Sequence, residues 1–293
     1  MGMSAWSYQS PPELSDEQYA RWQNLLEERS GICFLQHKSI LQKGLRQRMR
    51  EVGVEDYEQY YERVSSVPAG VVEWSLLVDR IAVKETSFFR EPHSFDVVRQ
   101  KLTDYLDMPQ PPRHLALWSV GCSTGEEPYS LAMQTQEVID EMGTNTYFGV
   151  TATDISRTAL DIGRTGQYAT RKLATLPATL RHKYFVSDSK AQATVVPSLK
   201  QKVCFVQGNI IKAEQMPTMA MDIIYCQNVL IYFRRDRLLA LLGALVKQLK
   251  PGGLLVLGPG EVVNWQHPEM RRTGDDTVNA YVKLSHTTAN LRS

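Results

Sequence analysis

Cysteine is scarce, and Cys33, Cys122, Cys204 and Cys226 stand far apart with no C-x-x-C pair. The six histidines are equally scattered, so neither a disulfide framework nor a structural zinc site is indicated and no metal is expected. No run of 18 apolar residues occurs, and Met1 to Glu13 is polar and proline-containing, which matches neither a membrane span nor a secretion signal. A cytoplasmic protein that does not insert into membranes is the expectation. An excess of one charge is missing too: a net charge of +1 excludes the broad basic face of a nucleic-acid binder. Internal repeats and low-complexity tracts are absent, and nothing demands a dimer, so a monomer is expected.

What is present is an ordinary globular composition, 43% hydrophobic and 22% charged, in 293 residues, a length that suits one large domain and one small. From about Leu14 to Ile81 apolar residues recur at helical spacing, as in Tyr19, Trp22, Leu25 and Leu26, or Leu41, Leu45 and Met49. This predicts four or five short helices, with Ser15 or Asp16 capping the first and Gly31 and Gly53 where helices stop. The helical domain is placed at 1–90 and a second domain at 91–293. After a linking helix from Phe95 to Leu106, the segment Met108-Pro-Gln-Pro-Pro-Arg113 breaks the chain. Beyond it apolar runs alternate with helical patterns: strands at 115–120, 147–153, 203–207, 221–226 and 254–257, helices at 128–142, 156–163 and 235–249. That order predicts an α/β fold, a Rossmann-like, mostly parallel sheet with helices on both faces. A segment from Gln167 to Gln201, extending to about 207, breaks the rhythm with a basic stretch (Arg171, Lys172, Arg181, His182, Lys183) and a β-branched one (Ala193-Thr-Val-Val196). It reads as a small inserted β-subdomain.

Four blocks carry the chemistry. In Leu115-Ala-Leu-Trp-Ser-Val-Gly-Cys-Ser-Thr-Gly-Glu-Glu-Pro-Tyr-Ser130 a strand runs into a glycine turn and a helix. Gly121 lets ligand atoms approach the backbone, as in dinucleotide-binding loops, but Glu126 and Glu127 repel a phosphate and suit a cationic ligand carrying a ribose. Taken alone, such a turn is as often a plain tight turn. Asp154 ends the strand Val150-Thr-Ala-Thr153, where an acid can accept both ribose hydroxyls, or else cap the next helix. Asn209, in Val206-Gln-Gly-Asn-Ile210, can bond an adenine edge or simply turn the chain. Asn228 and Tyr232, in Asp222-Ile-Ile-Tyr-Cys-Gln-Asn-Val-Leu-Ile-Tyr-Phe233, fall above the sheet's carboxyl edge, although Tyr232 alone reads equally as a core aromatic. Upstream, Ile81-Ala-Val-Lys-Glu-Thr-Ser-Phe-Phe-Arg-Glu-Pro92 reads as a helix start capped by Thr86 or Ser87, with Arg90 a candidate fork for a carboxylate.

Together, K-E-T-S-F-F-R-E at 84–91, W-S-V-G-C-S-T-G-E-E-P-Y-S at 118–130, T-D-I-S at 153–156, N-V-L-I-Y-F at 228–233 and L-K-P-G-G at 249–253 resemble the CheR family of chemotaxis receptor methyltransferases. The resemblance implies S-adenosylmethionine as cofactor and S-adenosylhomocysteine as product, with Lys84, Thr86, Arg90, Gly121, Glu127, Asp154, Asn209, Ile210, Gln227 and Asn228 in the cofactor site. Lys84 stands where the family commonly has Asn, Gln227 where it often has Arg, and Gly258-Pro-Gly-Glu261 departs from the usual glycine-His-Ser-Glu string. The resemblance further implies glutamate O-methylation on the cytoplasmic methylation helices of chemoreceptors, with Arg90 orienting the carboxylate and Tyr232 beside the transferred methyl as the catalytic pair. Between Arg29 and Arg50 lie six basic residues and no acid. On a helix Lys43, Arg46 and Arg50 share one face, which a solvated surface would explain and which, in the family, faces the acidic receptor. Some members dock a receptor pentapeptide through a Gly-x-x-Gly-Pro loop in the insert. No glycine occurs from Val186 to Gln207, so independence of the pentapeptide is expected.

Overall fold

A computed structural model describes residues 13–33, 38–66, 68–187 and 191–285; the N-terminal segment read above as lacking a signal, up to residue 12, and residues 188–190 of the insert lie outside the described residues. The chain divides into two compact units, Met1–Ala82 and Val83–Ser293. The division falls earlier than the boundary at 90, because Phe88 and Phe89 are anchored in the second unit's core.

The first unit is helical: α1 (Asp16–Ser30), α2 (Lys38–Val52), α3 (Tyr57–Ser65) and α4 (Ala69–Ile81). Ser15 caps α1 in a reciprocal box with Gln18, each backbone N–H given to the other's side chain at 3.1 Å. Gly31 ends it in the left-handed region. Leu41, Leu45 and Met49 of α2 are wholly buried against Trp22, Leu26, Tyr60, Leu77 and Ile81, each such side chain contributing roughly 1.5–3 kcal/mol. One cation of the basic stretch between Arg29 and Arg50 turns inward. Arg48 grips Glu73 with two nitrogens at 2.8 and 2.9 Å, and Tyr60 donates to the same carboxylate at 2.8 Å. Lys43 and Arg50 are exposed and Arg46 is half-buried, its Nε donating to the Tyr57 hydroxyl.

The second unit runs α5 (Pro92–Leu106), β1 (His114–Val120), α6 (Glu126–Met142), β2 (Tyr147–Asp154), α7 (Arg157–Thr165), β3 (Gln167–Ala169), α8 (Ala178–Tyr184), β4 (Phe185–Ser187), β5 (Gln192–Val195), α9 (Pro197–Lys200), β6 (Val203–Gln207), β7 (Met221–Cys226), α10 (Arg235–Gln248), β8 (Leu249–Leu257), β9 (Met270–Thr273) and β10 (Asn279–Lys283). Seven strands form one sheet in the order β6-β2-β1-β7-β8-β10-β9, parallel from β6 through β8 and antiparallel at β10 and β9. This is the expected Rossmann-like fold. The insert forms its own antiparallel sheet, β3-β5-β4. The apolar runs of β1 and β7 are buried on both faces, as strands in the middle of a doubly covered sheet must be.

Two local expectations are corrected. Thr86 and Ser87 cap no helix: α5 begins at Pro92, with Glu91 as N-cap. Proline at the first helical position sets φ and lacks the N–H that would go unbonded there, which leaves 83–91 as turn and extended chain. Asp154 is not the cap of α7 either; Ser156 is, accepting from the Ala159 N–H at 3.2 Å.

Candidate cofactor and acceptor site

The strand order reverses between β1 and β7, and ligands of open α/β sheets bind outside the carboxyl ends of strands at such a point. Every loop carrying a candidate residue of the second unit except 83–91 leaves a strand at that edge. The Gly121–Gly125 loop follows β1, Asp154 ends β2, Asn209 follows β6 and Gln227 to Tyr232 follow β7. Gly121 has φ +70°, and a Cβ there would meet Val229 Cγ2 at 2.2 Å, so only glycine lets the first and fourth loops lie side by side. The loop is tied to β2: the Gly121 and Cys122 N–H groups both donate to the Thr153 carbonyl, at 2.8 and 2.9 Å. Asp154 fixes it further, accepting from Ser123 N–H through Oδ2 and Ser156 N–H through Oδ1, both at 2.8 Å. A carboxylate oxygen can accept more than one hydrogen bond.

The two neighbouring glutamates separate, because consecutive residues of a helix point about 100° apart. Glu126 is fully buried and ion-paired with Lys172 of the insert, with the Thr124 hydroxyl donating at 2.6 Å. Glu127 turns towards the site and accepts from Ser119 Oγ at 2.7 Å. Burial pushes its carboxyl up to about 8, and nearby Glu261 adds to this, while the Ser119 hydrogen bond and the Arg90 charge oppose it.

Arg90 sits between Phe89 and Glu91, both held at positive φ (+49° and +59°), a strain on the order of 1–2 kcal/mol per residue. The turn tolerates it because Phe88 packs edge-on against Tyr168 and Phe185, Phe89 lies on Phe95, and the Phe89 N–H donates to Ser130 Oγ at 3.0 Å. Arg90 itself donates to the Glu85 carbonyl at 3.2 Å. Tyr232 is half-buried, and burial pushes its hydroxyl up while the Arg90 charge pulls it down, so arginine and phenol lie within electrostatic reach of each other. Ser123 and Asn228 also have positive φ, which places four of the strained non-glycine residues in the site's own loops.

The remaining candidates take varied places. Thr86 is half-buried, and Lys84 reaches α7, its Nζ donating to Thr158 Oγ1 at 2.7 Å. Asn209 caps the following 3-10 turn by accepting from the Ile211 N–H, and Ile210 packs on the second hydrophobic cluster. Gln227 is buried with its amide fully engaged: Oε1 accepts from the Tyr225 hydroxyl, and Nε2 donates to Ser94 Oγ and the Leu257 carbonyl. Its main chain, not its side chain, is what remains for a ligand. Sequence reasoning passed over Ser119 and Ser123 and gave Glu261 no role. A serine interrupting the apolar run of β1 was the available signal for Ser119; for Glu261 it was the Gly258-Pro-Gly-Glu261 string, which keeps the first glycine and the last glutamate of the family's.

The donor set fits a ribosyl cation. Burial raises the Glu127 carboxyl against the opposing Arg90 charge, and Ser123 Oγ is buried with no hydrogen-bond partner among the described residues. A positive ligand satisfies the first and a polar one the second. A Rossmann-like sheet with a glycine loop at its switch point, and carboxylates where a phosphate cradle would need bare N–H groups, defines an S-adenosylmethionine-binding protein of the methyltransferase class. The comparisons agree. Residues 84–279 match the family described as CheR methyltransferase, SAM binding domain, and residues 17–82 match CheR methyltransferase, all-alpha domain. The chemotaxis protein methyltransferase of Klebsiella aerogenes is 31% identical over 252 residues, covering 85% of this chain and 84% of its own. That of Escherichia coli K12 is 31% identical over 269 residues (89% and 88%), and chemotaxis protein methyltransferase 2 of Pseudomonas aeruginosa is 31% identical over 253 (84% and 86%). The chain belongs to the CheR methyltransferase family, and S-adenosylmethionine is its cofactor.

Proposed function

We propose that the protein esterifies glutamate side chains on the cytoplasmic methylation helices of chemoreceptors, the reaction of a protein-glutamate O-methyltransferase. The observation that carries this reading is Arg90, a cation on a strained turn within electrostatic reach of Tyr232 and Glu127, facing chemistry that needs no general base. A glutamate carboxylate is already ionised at neutral pH, so the protein's task is alignment and exclusion of water. When bound, S-adenosylmethionine supplies an electrophilic methyl group, whose bonding pair returns to sulfur as a carboxylate oxygen bonds to carbon. Asp154 would hold the ribose hydroxyls, Asn209 and Ile210 the adenine, and Glu127 with the Gly121 loop the positively charged end. Lys84, Thr86, Gln227 and Asn228 complete that set in this reading. Arg90 orients the acceptor carboxylate through its fork, and Tyr232 keeps carboxylate and methyl in line.

In the helical unit, the exposed Lys43 and Arg50 of α2, with the half-buried Arg46 between them, suit an acidic helical partner. The absence of glycine from Val186 to Gln207 supports methylation without a docked receptor pentapeptide. The direct test is incubation with receptor cytoplasmic domains and radiolabelled cofactor, followed by mapping of base-labile methyl esters. Label on glutamates is the expected result; label only on other side chains, or none, overturns the reading.

A further inference from the structure

Glu261 lies in the loop after β8 and was given no part in binding or transfer above, yet its side chain accepts from main-chain N–H groups on two loops. Oε1 accepts from the N–H groups of Leu230 and Ile231 at 2.9 and 3.3 Å, and Oε2 accepts from Gly258 at 2.8 Å. The Asn228 N–H also favours the ionised carboxylate, whereas burial raises its pKa. Leu230–Tyr232 is a single 3-10 turn of three residues, and Asn228, just before it, sits at φ +58°. So short a turn has no cooperative stability of its own, and its first N–H groups lack helical acceptors. The carboxylate supplies them. The side chain is folded back so tightly that a Cβ on Gly258 would meet Glu261 Oε2 at 2.4 Å and Cδ at 2.7 Å.

We propose that Glu261 is a positioning residue for methyl transfer, a carboxylate clamp that holds the Asn228–Tyr232 segment so that the Tyr232 hydroxyl keeps its place beside Arg90. This rests on the reading of Arg90 and Tyr232 as the acceptor pair. Two variants release the clamp by different means. Glu261→Gln keeps size but puts an NH2 donor against an N–H donor, and Gly258→Ala leaves the carboxylate in the chain but pushes it off its partners. For both, kcat with a receptor fragment falls on the order of 10- to 100-fold, the cost of misplacing a reacting group by about 1 Å, while KM and Tm stay near wild type. Amide exchange at Leu230 and Ile231 accelerates in both. The double variant Gly258→Ala/Glu261→Gln is no worse than either single one, since both break one contact.

Wild-type kcat in Glu261→Gln overturns the proposal, as does a loss of turnover that merely tracks the folded fraction, or unchanged protection of the Leu230 and Ile231 amides. If the wild-type protein itself fails to methylate receptor fragments, the functional reading falls instead, and amide exchange still decides whether the clamp exists.

Discussion

With Glu127 facing the cofactor as proposed, binding is expected to release a proton. With its carboxyl pushed up to about 8 in the free protein, about nine-tenths of the molecules carry that proton at pH 7. A cation settled beside the group requires it ionised, so binding at pH 7 expels about 0.9 proton. The apparent Kd scales with 1 + 10^(8 − pH), about 33 at pH 6.5 and about 2 at pH 8, so affinity rises about sixteenfold, ~1.6 kcal/mol, across that interval. Calorimetric titration of S-adenosylmethionine in phosphate and in Tris at pH 7 reads the proton directly, as the slope of observed enthalpy against buffer ionisation enthalpy. Glu127→Gln should abolish both the slope and the pH dependence. The sign for stability runs the other way: a carboxyl raised on folding contributes fully below its ordinary value near 4.5 and loses that contribution as pH climbs through 8. Saturating cofactor should therefore lift Tm more at pH 8 than at pH 6.5. Buffer-independent enthalpies in the wild type, or an unchanged pH slope in Glu127→Gln, refute the reasoning.

Four further outcomes are expected. Arg90→Ala should cut kcat with receptor fragments roughly 100-fold, more than it weakens cofactor affinity, as single-turnover rates and calorimetry will show. Gly121→Ala adds the left-handed penalty, about 1–2 kcal/mol, to a clash that puts its Cβ 2.2 Å from Val229 Cγ2, so Tm and S-adenosylhomocysteine affinity should both fall. Charge reversal at Arg46 and Arg50 should raise KM for the receptor fragment and spare cofactor binding; equal activity would retire the role of α2. Titration of a receptor C-terminal pentapeptide should give no heat, and tight binding would contradict the reading of the insert.

The parallel core was legible because β1, β2 and β7 are apolar runs that end abruptly in Gly121, Asp154 and Gln227-Asn228, so strand and site are written side by side. β9 and β10 were not, since Arg271, Arg272 and Lys283 break any apolar run in strands of four and five residues. Arg48 reads like Arg46 and Arg50 until Glu73, 25 residues on, comes into contact with it. Glu126 and Glu127 are chemically identical letters, and only the direction of each side chain in the first turn of α6 separates an internal ion pair from a ligand-facing carboxyl. Glu261 depends on a meeting of β8's end with the turn after β7, which no spacing rule anticipates.

The pairing of Lys172 with Glu126 bears on how this lineage can change. Tyr168 also donates its hydroxyl to the Thr124 carbonyl at 2.8 Å, so the insert is riveted at two points to the glycine loop. Excising residues 167–201 would remove the cation paired with a fully buried carboxylate and the donor bonded to the Thr124 carbonyl, a combined loss of several kcal/mol. Through Tyr168 and Lys172 the insert is therefore bound to the fate of the glycine loop it touches.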